Sequence, residues 1–85
     1  MRDIFIVQGS TGEYSDLIEW LVAAFASEEK AKELAANAKA EADRLFEETK
    51  DDNPKRYGAK NKFDDQMIMD WNNVIYGVIK IKLYE

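Results

Sequence analysis

Residues 27–50 read SEEKAKELAANAKAEADRLFEETK, and this stretch carries the strongest secondary-structure signal in the chain. It holds no glycine or proline, and strong helix formers dominate it. Ser27 is a favourable N-cap, and the two glutamates after it lie where the helix dipole stabilises negative charge. The apolar side chains recur at helical spacing and form one stripe: Ala31, Leu34, Ala35, Ala38, Ala42, Leu45 and Phe46. We therefore predict one long amphipathic helix that begins after Ser27 and ends near Lys50.

The segments on either side of the helix have the patterns of strands. Residues 4–8 are almost entirely apolar and precede a Gly-Ser-Thr-Gly turn cluster, which is typical of a strand buried on both faces. Residues 17–25 are expected to pair with it as a hairpin. In residues 74–84 apolar residues alternate with lysine near the end, which predicts a third strand, with Gly77 marking a bulge or a close contact.

This order predicts a β-β-α-β chain of the α+β class that forms a single domain, residues 1–85. A right-handed crossover through the helix places the first strand between the other two. We therefore expect a three-stranded antiparallel sheet in the order 2-1-3, with the long helix packed on one face. Residues 51–54 read DDNP and end the helix, because proline disfavours helical geometry in the residue before it. A long irregular connection should follow up to residue 73, docked through its Met and Trp side chains.

One helix can cover only one face of such a sheet. The face toward the helix is predicted to carry Ile4, Ile6, Trp20, Val22, Ile79, Ile81 and Leu83. The opposite face is predicted to carry Phe5, Val7, Leu21, Phe25, Tyr76 and Val78. Leaving so many apolar side chains in water is costly, so something should cover the second face. We expect residues 51–73 to fold back over it with Met67, Met69 and Trp71; the alternative is a second protein, either another copy or a target.

Composition excludes several kinds of chemistry. The 85 residues carry a formal net charge of −5 and include no histidine and no cysteine. Disulfides, thiolate chemistry, Cys/His zinc sites and imidazole acid–base catalysis are therefore excluded. No apolar run is long enough for a signal peptide or a membrane span, so we expect a cytoplasmic protein.

Two features invite a catalytic interpretation. The turn at residues 9–12 follows a strand, as phosphate-binding loops do, but it lacks the lysine of a P-loop and has Glu13 and Asp16 beside it. Two groups of carboxylates lack the calcium-loop pattern: Glu13, Asp16 and Glu19, and Asp64, Asp65 and Asp70. We expect a hairpin turn, solvated charges, no catalytic site, no metal and no cofactor.

Charge is unevenly distributed along the chain. Residues 55–62 read KRYGAKNK and hold four positive charges, so nucleic-acid contact through Lys55, Arg56, Tyr57, Lys60 and Lys62 is an alternative function. The helix is rich in carboxylates, and such a row can imitate DNA phosphates. Lysines and an arginine interrupt that row, and several make ordinary i,i+4 pairs with it.

Both ends of the chain resemble a family of small proteins from bacteriophages and prophages. The likeness at the N-terminal end is carried by residues 6–16, which read IVQGSTGEYSD, and by Glu19, Trp20, Val22, Ala24 and Phe25. At the C-terminal end it is carried by Phe63, Asp64, Met67, Asp70 and Tyr76. The chain departs from the family at residues 71–73, which read WNN where a tyrosine and a Gly-Thr turn are usual.

The resemblance implies a phage accessory protein inside a bacterial cell, and it carries no established activity. Small acidic phage proteins often bind and block a host protein, anti-CRISPR and anti-restriction inhibitors among them. We therefore predict a protein-binding inhibitor of a host defence complex, with a homodimer as a further partner to consider. The expected contact residues are Glu13, Tyr14 and Asp16 near the hairpin turn, Glu41, Glu47 and Glu48 on the helix, and Phe5, Phe25 and Trp71.

Overall fold

The computed structural model describes residues 2–12, 14–70 and 72–84, and for Tyr14 and Asn53 it describes the backbone. The elements, in chain order, are β1 (Arg2–Thr11), a 3₁₀ turn (Tyr14–Asp16), β2 (Ile18–Phe25), α1 (Glu28–Glu48), α2 (Asn53–Tyr57) and β3 (Ile75–Leu83). The strands form an antiparallel sheet in the order β2-β1-β3. The predicted α+β class, strand order and long helix are confirmed.

Helix α1 has the ends that its sequence predicts. The Ser27 hydroxyl accepts a hydrogen bond from the Lys30 backbone N–H at 3.3 Å. At the other end, the backbone N–H of Thr49 donates to the Leu45 carbonyl at 3.0 Å, and the Thr49 hydroxyl donates to the same carbonyl at 2.7 Å. These bonds satisfy backbone groups that a helix end would otherwise leave without partners.

The connection after α1 is more regular than predicted, because it contains helix α2. The Asp52 carboxylate caps α2 by accepting from the Lys55 backbone N–H at 3.1 Å, and Pro54 lies in the first turn. Asp followed by Asn-Pro is a sequence that starts a helix as well as one that stops a helix. The prediction used only the second property.

The register of the sheet corrects the expectation for Gly77. Strands β1 and β3 pair without a shift from Arg2↔Leu83 to Ser10↔Ile75, and a Cβ at Gly77 would meet nothing within 4 Å. The irregularity lies instead between β1 and β2, where the register shifts between Val7 and Gln8.

The two faces of the sheet are largely the reverse of those predicted. Side chains of paired residues project to the same face, and successive residues alternate. The pairs Gly9↔Trp20 and Gly9↔Tyr76 lie toward α1, because both aromatic side chains pack against the core cluster on α1. This places Phe5, Val7, Phe25, Tyr76 and Val78 toward the helix, and Ile4, Ile6, Ile79, Ile81 and Leu83 away from it. Trp20 and Leu21 lie on the faces predicted for them.

The described residues of the connection also pack on the helix side, so the prediction that Met67 and Met69 cover the second face is wrong. Met69 is 3% exposed and Val74 is fully buried, and both belong to one cluster with Ala42 and Leu45 of α1. Trp71, which was expected to help cover that face, lies outside the described residues. The fold is therefore a two-layer slab whose thinnest extent is 14 Å. Within the described ranges, neither helix is long and apolar enough to cross a membrane.

Candidate functional site

The face of the sheet that points away from α1, called the open face below, has no covering element among the described residues. It is formed by Arg2, Ile4, Ile6, Gln8 and Ser10 of β1, by Glu19, Leu21 and Ala24 of β2, and by Ile75, Gly77, Ile79, Ile81 and Leu83 of β3. The β3 positions carry four large aliphatic side chains and no charge. Arg2 and Glu19 place the charges of this face at opposite ends of the sheet.

Large apolar side chains on the open face are well exposed. Five of them have exposed fractions between 40% and 63%: Leu21, Ile75, Ile79, Ile81 and Leu83. Fully burying such a side chain is worth about 1.5–3 kcal/mol, so leaving five in water is a substantial cost. Contiguous apolar patches of this kind mark interaction surfaces in soluble proteins. The open face is the strongest candidate for a binding surface in the part of the chain that the structure describes.

On the helix side, a buried carboxylate ties the connection to the sheet. One oxygen of Asp64, which is 2% exposed, accepts from the Trp20 indole N–H at 2.7 Å and from the Tyr76 hydroxyl at 2.8 Å. The Asn61 side chain donates to the Ala38 carbonyl at 3.0 Å and so links the same segment to α1. Burial, reinforced by the Asp64 carboxylate, raises the pKa of Tyr76 far above its usual value.

A second anchor lies at the end of β1. The buried Thr11 hydroxyl is within hydrogen-bond distance of the Asn72 carbonyl at 3.0 Å and of the Asp70 carboxylate at 3.3 Å. Asp70 also accepts from the Asn72 backbone N–H at 2.9 Å. These two anchors hold Asp64 near one end of the connection, and Asp70 and Asn72 near the other, on the helix side of the sheet. The described residues of the connection therefore leave the open face uncovered.

The predicted acidic surface of α1 is largely neutralised by its own neighbours. Glu41 is buried, and its two carboxylate oxygens accept from the Arg44 guanidinium at 2.9 and 3.0 Å. The pKa of Glu41 is lowered by its hydrogen bonds to Arg44, and the pKa of Glu47 is lowered by its bond to Lys50. Glu48 also accepts from Arg44, at 2.7 Å. Glu41, Glu47 and Glu48 were expected to contact a partner, but each is already bound to a basic side chain.

Further ion pairs along α1 join Lys32 to Glu28 and Lys39 to Asp43. Hydrogen bonds from Lys39 and Asn73 lower the pKa of Asp43. Such pairs make α1 a surface of mixed charge rather than a continuous row of free carboxylates.

The predicted basic segment is divided by the fold. Arg56 is 5% exposed; its guanidinium donates to the Thr49 hydroxyl at 3.3 Å and to the Phe46 carbonyl at 3.0 Å. It also lies 4.1 Å from the centroid of the Phe46 ring. Lys55 and Lys60 are exposed, and Tyr57 is 58% exposed. Arg56 is therefore an internal anchor and not part of a surface that could meet phosphates.

Tyr57, Lys60 and Lys62 of the basic segment border an open cleft of about 480 Å³. Its lining includes Lys60 and Lys62 together with Asp64 and Asp65. Lys62 also lies 5.4 Å from the centroid of the Phe63 ring. The cleft thus has carboxylates beside its lysines, which weakens the case for phosphate binding.

Predicted contact residues on the sheet and the hairpin turn have different locations. Phe5 and Phe25 pair with each other on the helix side and are half-buried, so they do not belong to the open face. Asp16 is exposed. Glu13 lies outside the described residues, and the side chain of Tyr14 is not described.

Sequence reasoning missed Ile75 and placed Ile79, Ile81 and Leu83 against the helix. The signal that misled it is the alternation of these residues with Lys80 and Lys82, which normally marks the lysine phase as the outer one. Both lysines are exposed although they lie on the helix side, where Lys82 is 3.6 Å from Asp3. An apolar phase without charge along a whole strand was nevertheless visible in the sequence.

The chain matches no family model, no curated protein and no solved structure. The likeness to phage proteins therefore stays a prediction. Among the described residues, no group of three acidic side chains is arranged to hold a metal ion.

Proposed function

We propose that this protein acts by binding another protein, and that its open face makes the contact. The observation that carries this proposal is the set of five aliphatic side chains, 40–63% exposed, on a face whose described residues carry charge only at its two ends. An apolar centre with a polar rim is the usual anatomy of a protein–protein interface.

The rest of the surface supports the open face as the binding site. The carboxylates of α1 named above are paired with lysine and arginine, and Arg56 of the basic segment is buried. The anchors at Asp64 and Thr11 fix the connection on the other side of the sheet. A partner therefore meets a preformed surface, which reduces the entropy lost on binding.

The resemblance to phage accessory proteins supplies a proposed setting. In that setting the target is a protein of the bacterial host, and binding blocks a defence complex of the anti-CRISPR or anti-restriction kind. Blocking needs no catalytic group, because occupying a surface is sufficient.

Gly77→Lys provides a test that leaves native packing intact. Gly77 lies on the open face, and its Cβ would meet no atom within 4 Å, so the variant adds a charge without removing a contact. Ala40→Lys, on the exposed surface of α1, is the matched control. Tagged wild-type protein and both variants are incubated with bacterial lysate, either untreated or treated with nuclease. We expect wild type and Ala40→Lys to capture one lysate protein in stoichiometric amount. Gly77→Lys should capture at least tenfold less of that protein.

Capture that is equal for all three proteins would overturn the role of the open face. Capture that disappears after nuclease treatment would favour nucleic-acid association through residues 55–62 instead. For the proposed setting, the readout is phage plating on bacteria with and without a defence system. Wild type and Ala40→Lys should restore plating on the defended strain, and Gly77→Lys should not.

A further inference from the structure

We propose that, when no target is bound, a second copy of this chain covers the open face and the two sheets pack face to face. This inference rests on the proposed function, because it takes the open face to be a protein-binding surface. It adds the identity of one occupant and the geometry in which that occupant lies.

The shape of the open face is complementary to the open face of a second copy. Ile75 and Ile79 stand 63% and 40% exposed on either side of Gly77, which leaves a gap between them. A ridge of aliphatic side chains beside such a gap can interdigitate with the same ridge and gap of another copy. Face-to-face sheets pack in this way, about 10 Å apart and with strands within about 30° of alignment.

The charges at the ends of the open face select one orientation. Arg2 lies at the end where β1 meets Leu83, and Glu19 lies at the other end, paired with Ser10. A two-fold axis perpendicular to the strands brings the Arg2 end of each copy over the Glu19 end of the other. A two-fold axis parallel to the strands would bring like charges together, so the perpendicular axis is favoured.

The size of the face makes this dimer a weak one. Three strands of about nine residues cover a plan area of roughly 30 by 14 Å, or on the order of 400 Å² per copy. Stable complexes commonly bury about 800 Å² per partner. The pair should therefore dissociate readily, which allows a target to displace the second copy from the same face.

Sedimentation equilibrium across a concentration series tests the dimer. For wild type and Ala40→Lys the average mass should rise from the 9.8 kDa of one chain toward twice that value as concentration increases. Gly77→Lys should stay at the mass of one chain, because its charge would be buried against the other copy. A wild type that remains monomeric at millimolar concentration, or a Gly77→Lys variant that dimerises equally, would overturn the proposal.

A single cysteine tests the orientation, since the sequence contains none. Ile6 and Ile79 form the middle rung of the β1–β3 ladder. With the perpendicular axis, Ile79 of one copy lies over Ile79 of the other at the spacing of two packed sheets, about 10 Å. That spacing is too long for a disulfide, so Ile79→Cys should instead be cross-linked to a covalent dimer by a short bifunctional maleimide. Ala40→Cys should not. Absence of the Ile79→Cys cross-link in a protein that dimerises would overturn this orientation.

The two proposals can fail separately. A monomeric protein that captures a target through a Gly77-sensitive surface overturns the dimer and retains the proposed function. A dimer that is sensitive to Gly77→Lys but captures no target supports the dimer and overturns the proposed function.

Discussion

The indole ring of Trp20 occupies the space that a side chain at Gly9 would need. A Cβ built on Gly9 would lie 2.6 Å from both Cε2 and Nε1 of Trp20, well inside the distance that real Cβ atoms show. The two residues are paired across β1 and β2, so the ring lies over the central strand. From there its N–H reaches Asp64. Gly9 thus allows the sheet and the connection to be joined through one aromatic side chain.

The first prediction compares two glycines of the same sheet. Gly9→Ala should lower the free energy of unfolding by about 1–3 kcal/mol, because Trp20 must shift away from its place. Gly77→Ala should leave it unchanged or raise it by up to about 1 kcal/mol, since its Cβ meets no atom within 4 Å and the unfolded chain loses freedom. Urea unfolding at low protein concentration measures both. Equal effects at the two positions would contradict the packing described for Trp20.

The second prediction concerns the Trp20–Asp64 hydrogen bond. Asp64→Ala should lower the free energy of unfolding by about 3 kcal/mol or more, because it leaves the Trp20 N–H and the Tyr76 hydroxyl without this acceptor. Asp65→Ala is the matched control, because Asp65 is the exposed neighbour and should change stability by no more than about 0.5 kcal/mol.

A double-mutant cycle isolates this bond. Combining Trp20→Phe with Asp64→Ala should give a coupling energy of about 1.5–3 kcal/mol, the range for a hydrogen bond to a charged group. Additive effects of the two substitutions would show that the bond contributes nothing to stability.

The third prediction separates the structural role of Arg56 from a role in binding nucleic acid. Arg56→Ala should lower the free energy of unfolding by about 2–3 kcal/mol, because it removes the bonds to Thr49 and Phe46 and the contact with the Phe46 ring. Arg56→Lys should recover only part of this loss, since an ammonium group cannot reproduce the planar fork. Lys60→Ala, at an exposed position, should be close to neutral. Chemical unfolding of the three variants measures these changes in the free energy of unfolding. An Arg56→Ala variant as stable as wild type would contradict the role of Arg56 as a buried anchor.

Local signals were sufficient to predict α1 and the three strands, but not α2. The run of helix formers after Ser27 fixed α1, and the apolar residues 4–8 identified the strand that pairs on both sides. The crossover rule then gave the strand order without any knowledge of side-chain contacts.

The faces of the sheet could not be predicted in the same way, because β1 is apolar on both phases. What decides them is a long-range relationship: Trp20 and Tyr76 both donate to Asp64, which is 44 residues from the first and 12 from the second. Periodicity says which residues share a face but not which face meets the helix. The reversed assignment of the two faces also affected the candidate site. Phe5 and Phe25 were expected on the face away from the helix, which Ile79 and Ile81 form instead.

The fourth prediction follows from the Tyr76 hydroxyl. Burial and the nearby Asp64 carboxylate raise its pKa above the ordinary value of about 10, so the folded protein keeps this proton when the unfolded chain loses it. The stability that Tyr76 provides is therefore complete below pH 10 and is lost as pH rises further, by about 1.4 kcal/mol per pH unit.

The variant Tyr76→Phe lacks this dependence of stability on pH and is less stable at pH 7 by about 1–2 kcal/mol, because it loses the bond to Asp64. Urea unfolding between pH 7 and 11 should show the free energies of unfolding of the two proteins converging above pH 10, since the two proteins differ only at residue 76. A constant difference over the whole range would mean that Tyr76 ionises in the folded protein as freely as in the unfolded chain.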